Sequence, residues 1–412
     1  MNSSIASAAD RRGPTTNQRP GSAMEVAAAF LKLGLSSFGG PIAHLGYFRR
    51  EFVERRRWLD EEHFGELLGL CQFLPGPASS QLAFCLGLQR AGWAGALAAF
   101  VGFTLPSALL LYALAASSTY LAGPWGQGAV HGLKLVAVAV VAQAVLGMAR
   151  TLTPDAPRAL LAAAAAALAA VGGSASMQLL VVAGGAALGP WLCRQTMPRP
   201  SGNVTLRYGR RTASLLLLTY GTLLICALMV APAAAPLGQA AGAFYRAGAL
   251  VFGGGHVVLP LLKDAVVDPG WIDDNTFLAG YGAAQAVPGP MFAISAFLGE
   301  RLHGGQGGLT GATLSLLAIF LPGFLLVAGV LPFWQALSAR AVTARMLAGI
   351  NAVVVGLLAA ALYDPVWVGA VHDAKDFAIA LIGFAFLAGV GWPSWGVVLW
   401  CVLASLGRFA FE

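Results

Sequence analysis

Charge is what this sequence has least of. Asp, Glu, Lys and Arg together make up 10% of its 412 residues, where a soluble domain carries about a quarter. Cysteine is sparse and unpaired in pattern: Cys71, Cys85, Cys193, Cys226 and Cys401 are scattered through apolar stretches with no CxxC among them. That spacing offers neither a disulfide framework nor a zinc site, and small apolar packing residues are the plain reading. There is no HExxH and no cluster of His and Glu, so a metal-dependent intramembrane enzyme is not indicated, and no GxxxxGK[ST], so the chain has no ATP-driven motor of its own. No enzymatic activity and no cofactor are expected. The net charge of +7 is concentrated in a few loops and forms no basic face interleaved with aromatics, which argues against a nucleic-acid partner.

Apolar residues are abundant: 58% of the chain is hydrophobic and the mean hydropathy is +0.72. Stretches of about 20 apolar residues recur, each enough to cross a ~30 Å hydrocarbon core. The fold class expected is an all-α polytopic integral membrane protein whose immediate partner is the lipid bilayer. Residues 1–22, with Arg11, Arg12 and Arg19, read as a disordered cytoplasmic tail. The long segment that follows carries Lys32 and a broken FGGP, unlike a short cleavable leader.

The two halves of the chain repeat one another. At an offset of 214, Phe30, Gly34, Phe38, Gly39 and Gly40 match Phe244, Gly248, Phe252, Gly253 and Gly254, and Lys32 matches Arg246 in kind. At 213, Trp58, Asp60, Phe64, Gly69 and Gln72 match Trp271, Asp273, Phe277, Gly282 and Gln285, and Pro75-Gly76-Pro77 falls on Pro288-Gly289-Pro290. Leu105-Pro106 meets Leu321-Pro322 at 216. Duplicated transporter folds have this signature. The expected organisation is the tail 1–22, an N-terminal transporter repeat 23–193, a basic cytoplasmic loop and linker helix 194–238, and a C-terminal repeat 239–412.

Loop charge gives an orientation. The first repeat's "RREFVERRRWLDEE" holds five arginines, whereas the second's "KDAVVDPGWIDDN" holds one lysine and four aspartates. Positive loops stay cytoplasmic, so the repeats are expected to be inverted. Threading the remaining charges gives nine full spans, near 92–117, 129–149, 158–173, 176–193, 213–233, 307–332, 342–362, 377–391 and 394–410, with four re-entrant segments at the FGG and PGP breaks.

Those breaks are the candidate site. Proline inside a helix removes a donor and clashes with the preceding turn, and irregular backbone at membrane depth survives only in protein or along a cavity. A broken helix also presents free N–H groups and a partial positive charge, and glycine lets an anion approach them. Gly39, Gly40, Pro75, Gly76, Pro77, Gly253, Gly254, Pro288, Gly289 and Pro290 supply such backbone. Ser36, Ser37, Gln72, Ser79, Ser80, Gln285 and Ser295 add uncharged donors, while Lys32 and Arg246 add charge. Each has a plainer role: small residues pack helices closely, and long basic side chains snorkel to an interface. His44 and His256 follow the glycine breaks without aligning; each suits a proton relay, an anion contact or simple packing. His63, His131, His303 and His372 read as loop or helix-end residues. The ligand that fits is an oxyanion, carried rather than converted. An anion channel would need a continuous polar pore, which the sequence does not offer.

In combination, FGG, then W-[LI]-D, then Q-x-x-PGP, present twice, resembles the chromate ion transporter family in its long, two-repeat form. The segments that carry the likeness are "FLKLGLSSFGGPIAHLGYFRREFVERRRWLDEEHFGELLGLCQFLPGPASSQLAFCLG" and "FYRAGALVFGGGHVVLPLL" through "WIDDNTFLAGYGAAQAVPGPMFAISAFLG". The resemblance spans nearly all of 24–410. It implies a multi-pass protein of the bacterial inner membrane that exports chromate, driven by the membrane potential or a proton gradient. The family's charged and glycine-rich motif positions fall on Lys32, Gly39, Gly40, Pro75, Gly76 and Pro77 and on their second-half partners. One departure stands out: Gly255 occupies the place of Pro41. Sulfate, isosteric with chromate, is the alternative cargo, and a homodimer is one assembly open to the chain.

Overall fold

The computed structural model describes residues 21–38, 40–117, 123–172, 175–194, 208–229, 236–252, 258–338 and 340–411. Among these residues every regular element is a helix. The first half runs α1 (Ala23–Ser36), α2 (Gly40–Phe48), α3 (Glu61–Phe73), α4 (Ala78–Ala116), α5 (Pro124–Leu152), α6 (Ala156–Gly172) and α7 (Ala175–Leu192). After α8 (Arg210–Met229), the second half runs α9 (Pro236–Leu250), α10 (Val258–Val266), α11 (Asp274–Ala286), α12 (Ile294–Gly305) and α13 (Gly308–Val330). It closes with α14 (Trp334–Ser338), α15 (Ala341–Ala361), α16 (Val368–Ala370), α17 (Ala374–Ala385) and α18 (Ser394–Phe411).

Among the described residues, five helices are long and apolar enough to cross a membrane: Ala78–Ala116, Trp125–Leu152, Arg210–Met229, Gly308–Phe333 and Ala341–Ala370. Ala156–Gly172, Leu180–Leu192 and Ser394–Arg408 are apolar but shorter. The first of the five is two limbs. Ala91 and the left-handed Gly92 (φ 67°) leave helical geometry, and a Cβ at Gly87 would run into the carbonyl of Gly95 and reach Ala99 at 2.8 Å. Residues twelve apart meet only if 78–90 and 93–116 fold back on each other. The expected break between 63–88 and 92–117 is therefore present, as a glycine hairpin.

Duplication holds down to single contacts. Asp60 caps α3 by accepting from the His63 N–H, and Asp273 caps α11 by accepting from Thr276, at 2.8 and 2.9 Å. Such caps satisfy donors that a helix start leaves open. Gly34 lets α1 touch the Phe103 carbonyl of α4, and Gly248 lets α9 touch Ile319 of α13. Gly87 against Gly95 recurs as Gly299 against Gly311, where α12 gives way to α13 beyond the non-helical Leu302, His303 and Gly304. Bare glycine stripes let helices approach closely where lipid gives no hydrophobic drive to associate.

The halves are also interleaved. Helix α5 of the first packs on α17 and α18 of the second, while α15 of the second packs on α6 and α7 of the first. Two halves that exchange equivalent contacts behave like the subunits of a twofold dimer.

Candidate functional site

Each break ends one short helix and starts another. Helix α1 stops at Ser36, and α3 stops at Phe73 before the extended Leu74. With 14 and 13 residues these helices fall well short of the ~20 that crossing requires. Across Leu74-Pro75-Gly76-Pro77 the backbone changes direction. Gly76 has φ +125° and Gly289 +108°, a region that side-chain-bearing residues avoid.

The breaks of the two halves bind each other. The Gly76 N–H donates to the Val251 carbonyl at 2.7 Å, and the Gly289 N–H donates to the Ser37 carbonyl at 3.0 Å. Ser37 and Val251 are equivalent at the 214 offset, so each PGP turn is pinned to the other half's segment just before its glycines. The surroundings also correspond. A Cβ on Gly76 would lie 3.1 Å from Gly323 Cα, and one on Gly289 would lie 2.9 Å from Ser107 Oγ. Pro77, Gly76, Pro288, Gly289 and Pro290 are buried, and Pro75 is half-buried.

The polar candidates divide. Ser37 and His44 are fully buried, Ser79 and Ser80 nearly so, and Gln285 is buried with its amide facing Met291 Sδ at 3.9 Å. His44 Nε2 lies 3.2 Å from the Ser37 carbonyl, and Nδ1 lies 3.5 Å from Ser79 Oγ. Its ring meets Phe103 edge-on at 5.3 Å. Lys32 and Gln72 are exposed. Ser36 is exposed too, its hydroxyl donating back to the Lys32 carbonyl at 2.8 Å. Arg246 is half-buried and donates to the Ala227 carbonyl of α8 at 2.5 Å. Gly40 starts α2 with φ +75°. Gly39, Gly253, Gly254 and His256 lie outside the described residues.

Sequence reasoning passed over two side chains. Gln81, in the first turn of α4, donates to the Pro75 carbonyl at 2.9 Å and across the molecule to Gly323 at 3.1 Å. Thr104 is buried on the other limb of α4, next to Phe103. The Q-x-x-PGP pattern directs attention upstream of the turn, whereas a residue just downstream sits in a fresh helix start and is the one that meets it. The hydroxyls of Ser37, Ser80 and Thr104 and the Oε1 of Gln81 are buried without a partner, and each such group costs about 1–3 kcal/mol. Beside the second break lies a hollow lined by Leu250, Phe252, Pro260, Leu261 and Leu357, with Gln178 as its polar lining.

Away from the breaks, charge collects at helix ends. Glu25 accepts from Trp58 Nε1 and from Arg90, each at 3.1 Å, and the Arg90 guanidinium lies 5.1 Å over the Trp58 ring. Glu51 lies between Arg55 and Arg56 at 2.8 and 2.7 Å. Burial raises its carboxyl, but the two guanidiniums outweigh that and hold it below the ordinary range. His131 and His372, expected at loops or ends, meet across a buried carboxylate. Asp376, with no exposed surface, contacts His131 at 2.7 Å and Arg408 at 2.7 Å and accepts the His372 N–H at 3.0 Å.

These features define a class: a polytopic helical membrane protein of two interleaved repeats whose broken helices cross in the interior. A family model described as Chromate transporter matches residues 24–190 and 238–406. The chain belongs to that family. It is 30% identical to the probable chromate transport protein of Synechococcus elongatus over 359 residues, covering 86% of each chain. It is also 30% identical to the chromate transport protein of Pseudomonas aeruginosa, over 84% of this chain and 81% of that one. For the chromate transport protein of Cupriavidus metallidurans the identity is 27%, over 81% and 80%. No solved structure matches the chain.

Proposed function

We propose that this protein is a secondary active transporter that exports chromate from the cytoplasm across a bacterial inner membrane. Its oxyanion site lies where the FGG and PGP breaks of the two repeats meet. The observation that carries this reading is the reciprocal pair of bonds, Gly76 to Val251 and Gly289 to Ser37. It makes the breaks a shared structure between halves, where rocking one half against the other alternates access. The chromate cargo is taken from the names of the relatives.

The arginine loop 49–57 is assigned to the cytoplasm and the aspartate loop 263–274 to the far side, which makes the repeats inverted and the short broken helices re-entrant. The repeat boundaries follow at 23–193 and 239–412, joined through the linker 194–238. Lys32, which is exposed, and Arg246, held by α8, act at a distance from the breaks as counter-charge along the anion's route.

Radiolabelled chromate flux into everted vesicles tests the reading. Energy-dependent accumulation, weakly inhibited by excess sulfate, is expected. Absence of accumulation overturns export, and full competition by sulfate moves the cargo to a general oxyanion taken up or exchanged. Lys32→Ala and Arg246→Ala are expected to lower flux without blocking insertion; wild-type rates in both would remove the counter-charge role. Single cysteines in 50–57 and 264–274 should label from opposite faces, and labelling from the same face would end the inversion.

A further inference from the structure

The two breaks share a backbone but not a chemistry. In the first, Ser37, His44, Ser79, Ser80, Gln81 and Thr104 lie around the crossing. Their counterparts, at the offsets 213 to 216, are Val251, Val258, Phe292, Ala293, Ile294 and Phe320. Every hydrogen-bonding side chain of the first set becomes a hydrocarbon in the second.

The first set is also unsatisfied. Serine in a helix commonly turns its hydroxyl back to a carbonyl of the preceding turn, as Ser107 does to Thr104 and Ser295 to Phe292, at 2.9 and 2.8 Å. Ser37, Ser80 and Thr104 do not, although they are 0 to 2% exposed. They belong to the segments that meet at the crossing: Ser80 follows Ser79, which faces His44. Thr104 follows Phe103, whose ring meets His44 and whose carbonyl lies beside Gly289. The helix that starts here has Pro77 as its N-cap, which supplies no side-chain cap to the first turn. An N-terminus without a side-chain cap, flanked by buried hydroxyls with no acceptor, is arranged for an acceptor that arrives from outside.

We infer that the oxyanion is held on one side only, by the first turn of α4 together with Ser37, Ser80, Thr104 and the His44–Ser79 pair, while the second break is an apolar counterpart that closes over it. This rests on the transporter reading above and assigns the binding residues within it. The donors are uncharged, so a tetrahedral dianion is read by hydrogen-bond geometry and not by a fixed cation.

Anion-dependent thermal stabilisation of the full-length purified protein in detergent, with chromate and with sulfate as probes, tests this together with vesicle flux. Ser37→Ala, Ser80→Ala and Thr104→Val are each expected to raise the half-saturating chromate concentration about tenfold, the worth of one hydrogen bond to a charged group. The unliganded melting temperature should stay the same or rise, because each change removes a buried group that has no partner. Ser315→Ala, which removes another buried hydroxyl without a partner, beside Gly299 in the second half, should leave half-saturation within twofold. If the three first-break variants bind chromate as wild type does, or if they melt earlier with unchanged affinity, the hydroxyls are structural and the inference is wrong. A wild-type protein that neither chromate nor sulfate stabilises and that moves neither anion removes the transporter reading as well.

Discussion

Repeats one and two were built to the same plan and then filled differently. At the breaks, the first copy keeps Ser37, His44 and Ser80 where the second has Val251, Val258 and Ala293. At the helix ends, Glu25, Trp58 and Arg90 form an ion pair capped by a ring, whereas at the matching positions Trp271 and His303 meet through their rings at 5.6 Å and through the His303 N–H, which donates to the Trp271 carbonyl at 3.0 Å. The outer helices differ as well. Helices α17 and α18 add the Asp376 cluster to a close approach at Gly132 of α5, while α15 meets α7 through Gly349 against Gly185 and Gly189 and meets α6 through Gly356 against Ala162. Backbone contacts are what both copies preserve. Side-chain chemistry is free to specialise, because the fold is held by glycines and turns that place no demand on it.

That contrast can be broken at several points. The largest effect is expected for Asp376→Ala, which removes the buried carboxylate that His131 and Arg408 share and leaves Arg408 with Asp373. Loss of one partner of a buried pair costs about 3–5 kcal/mol, to be read by equilibrium unfolding in detergent; a loss under ~1 kcal/mol would mean that the cluster does not join α5 to α17 and α18. On the other side, Gly349→Leu forces a side chain into the Gly185 carbonyl and should cost about 1–3 kcal/mol by overpacking, seen in the same measurement and unchanged if the helices can slide apart.

Gly76→Ala and Gly289→Ala test the shared backbone. Each puts a Cβ at positive φ, a strain of about 1–3 kcal/mol. Gly76→Ala should be the worse, since its Cβ would lie 2.7 Å from Gln81 Nε2 and 3.1 Å from the Gly323 backbone. Equal and negligible losses in flux and stability would show that the crossing is not needed. The smallest effect separates the ends. Arg90→Ala should cost ~1 kcal/mol, below the usual ~1.5–3 for a charged hydrogen bond because Glu25 is one-third exposed. His303→Ala should cost less, and a reversed order would overturn the ionic reading of the first copy.

Much of the architecture was legible early. The 213 offset, on which Asp60 fell on Asp273 and the PGP turns on each other, carries α3 onto α11 end to end, because caps and prolines act on their own few residues. The family could be read from the same motifs. The site was legible only in part. The Q-x-x-PGP pattern singled out Gln72, but that side chain is exposed, and Gln81 is the amide that holds the turn. Lys32 and Arg246 matched in sequence, yet one is exposed and the other is tied to α8. Helical phase decides which way a residue points, and a motif does not record it.

By itself the sequence determined that this chain lives in a membrane, that it is doubled, and that its helices break at FGG and PGP, since composition, periodicity and proline chemistry are local and survive in any conformation. Only the tertiary structure decided that each break is completed by the other half, Gly76 to Val251 and Gly289 to Ser37, and that the hydroxyls of Ser37, Ser80 and Thr104 are buried without a partner. Those facts depend on which residues, some two hundred positions apart, the packing brings within 3 Å, and on which buried groups it leaves without a partner.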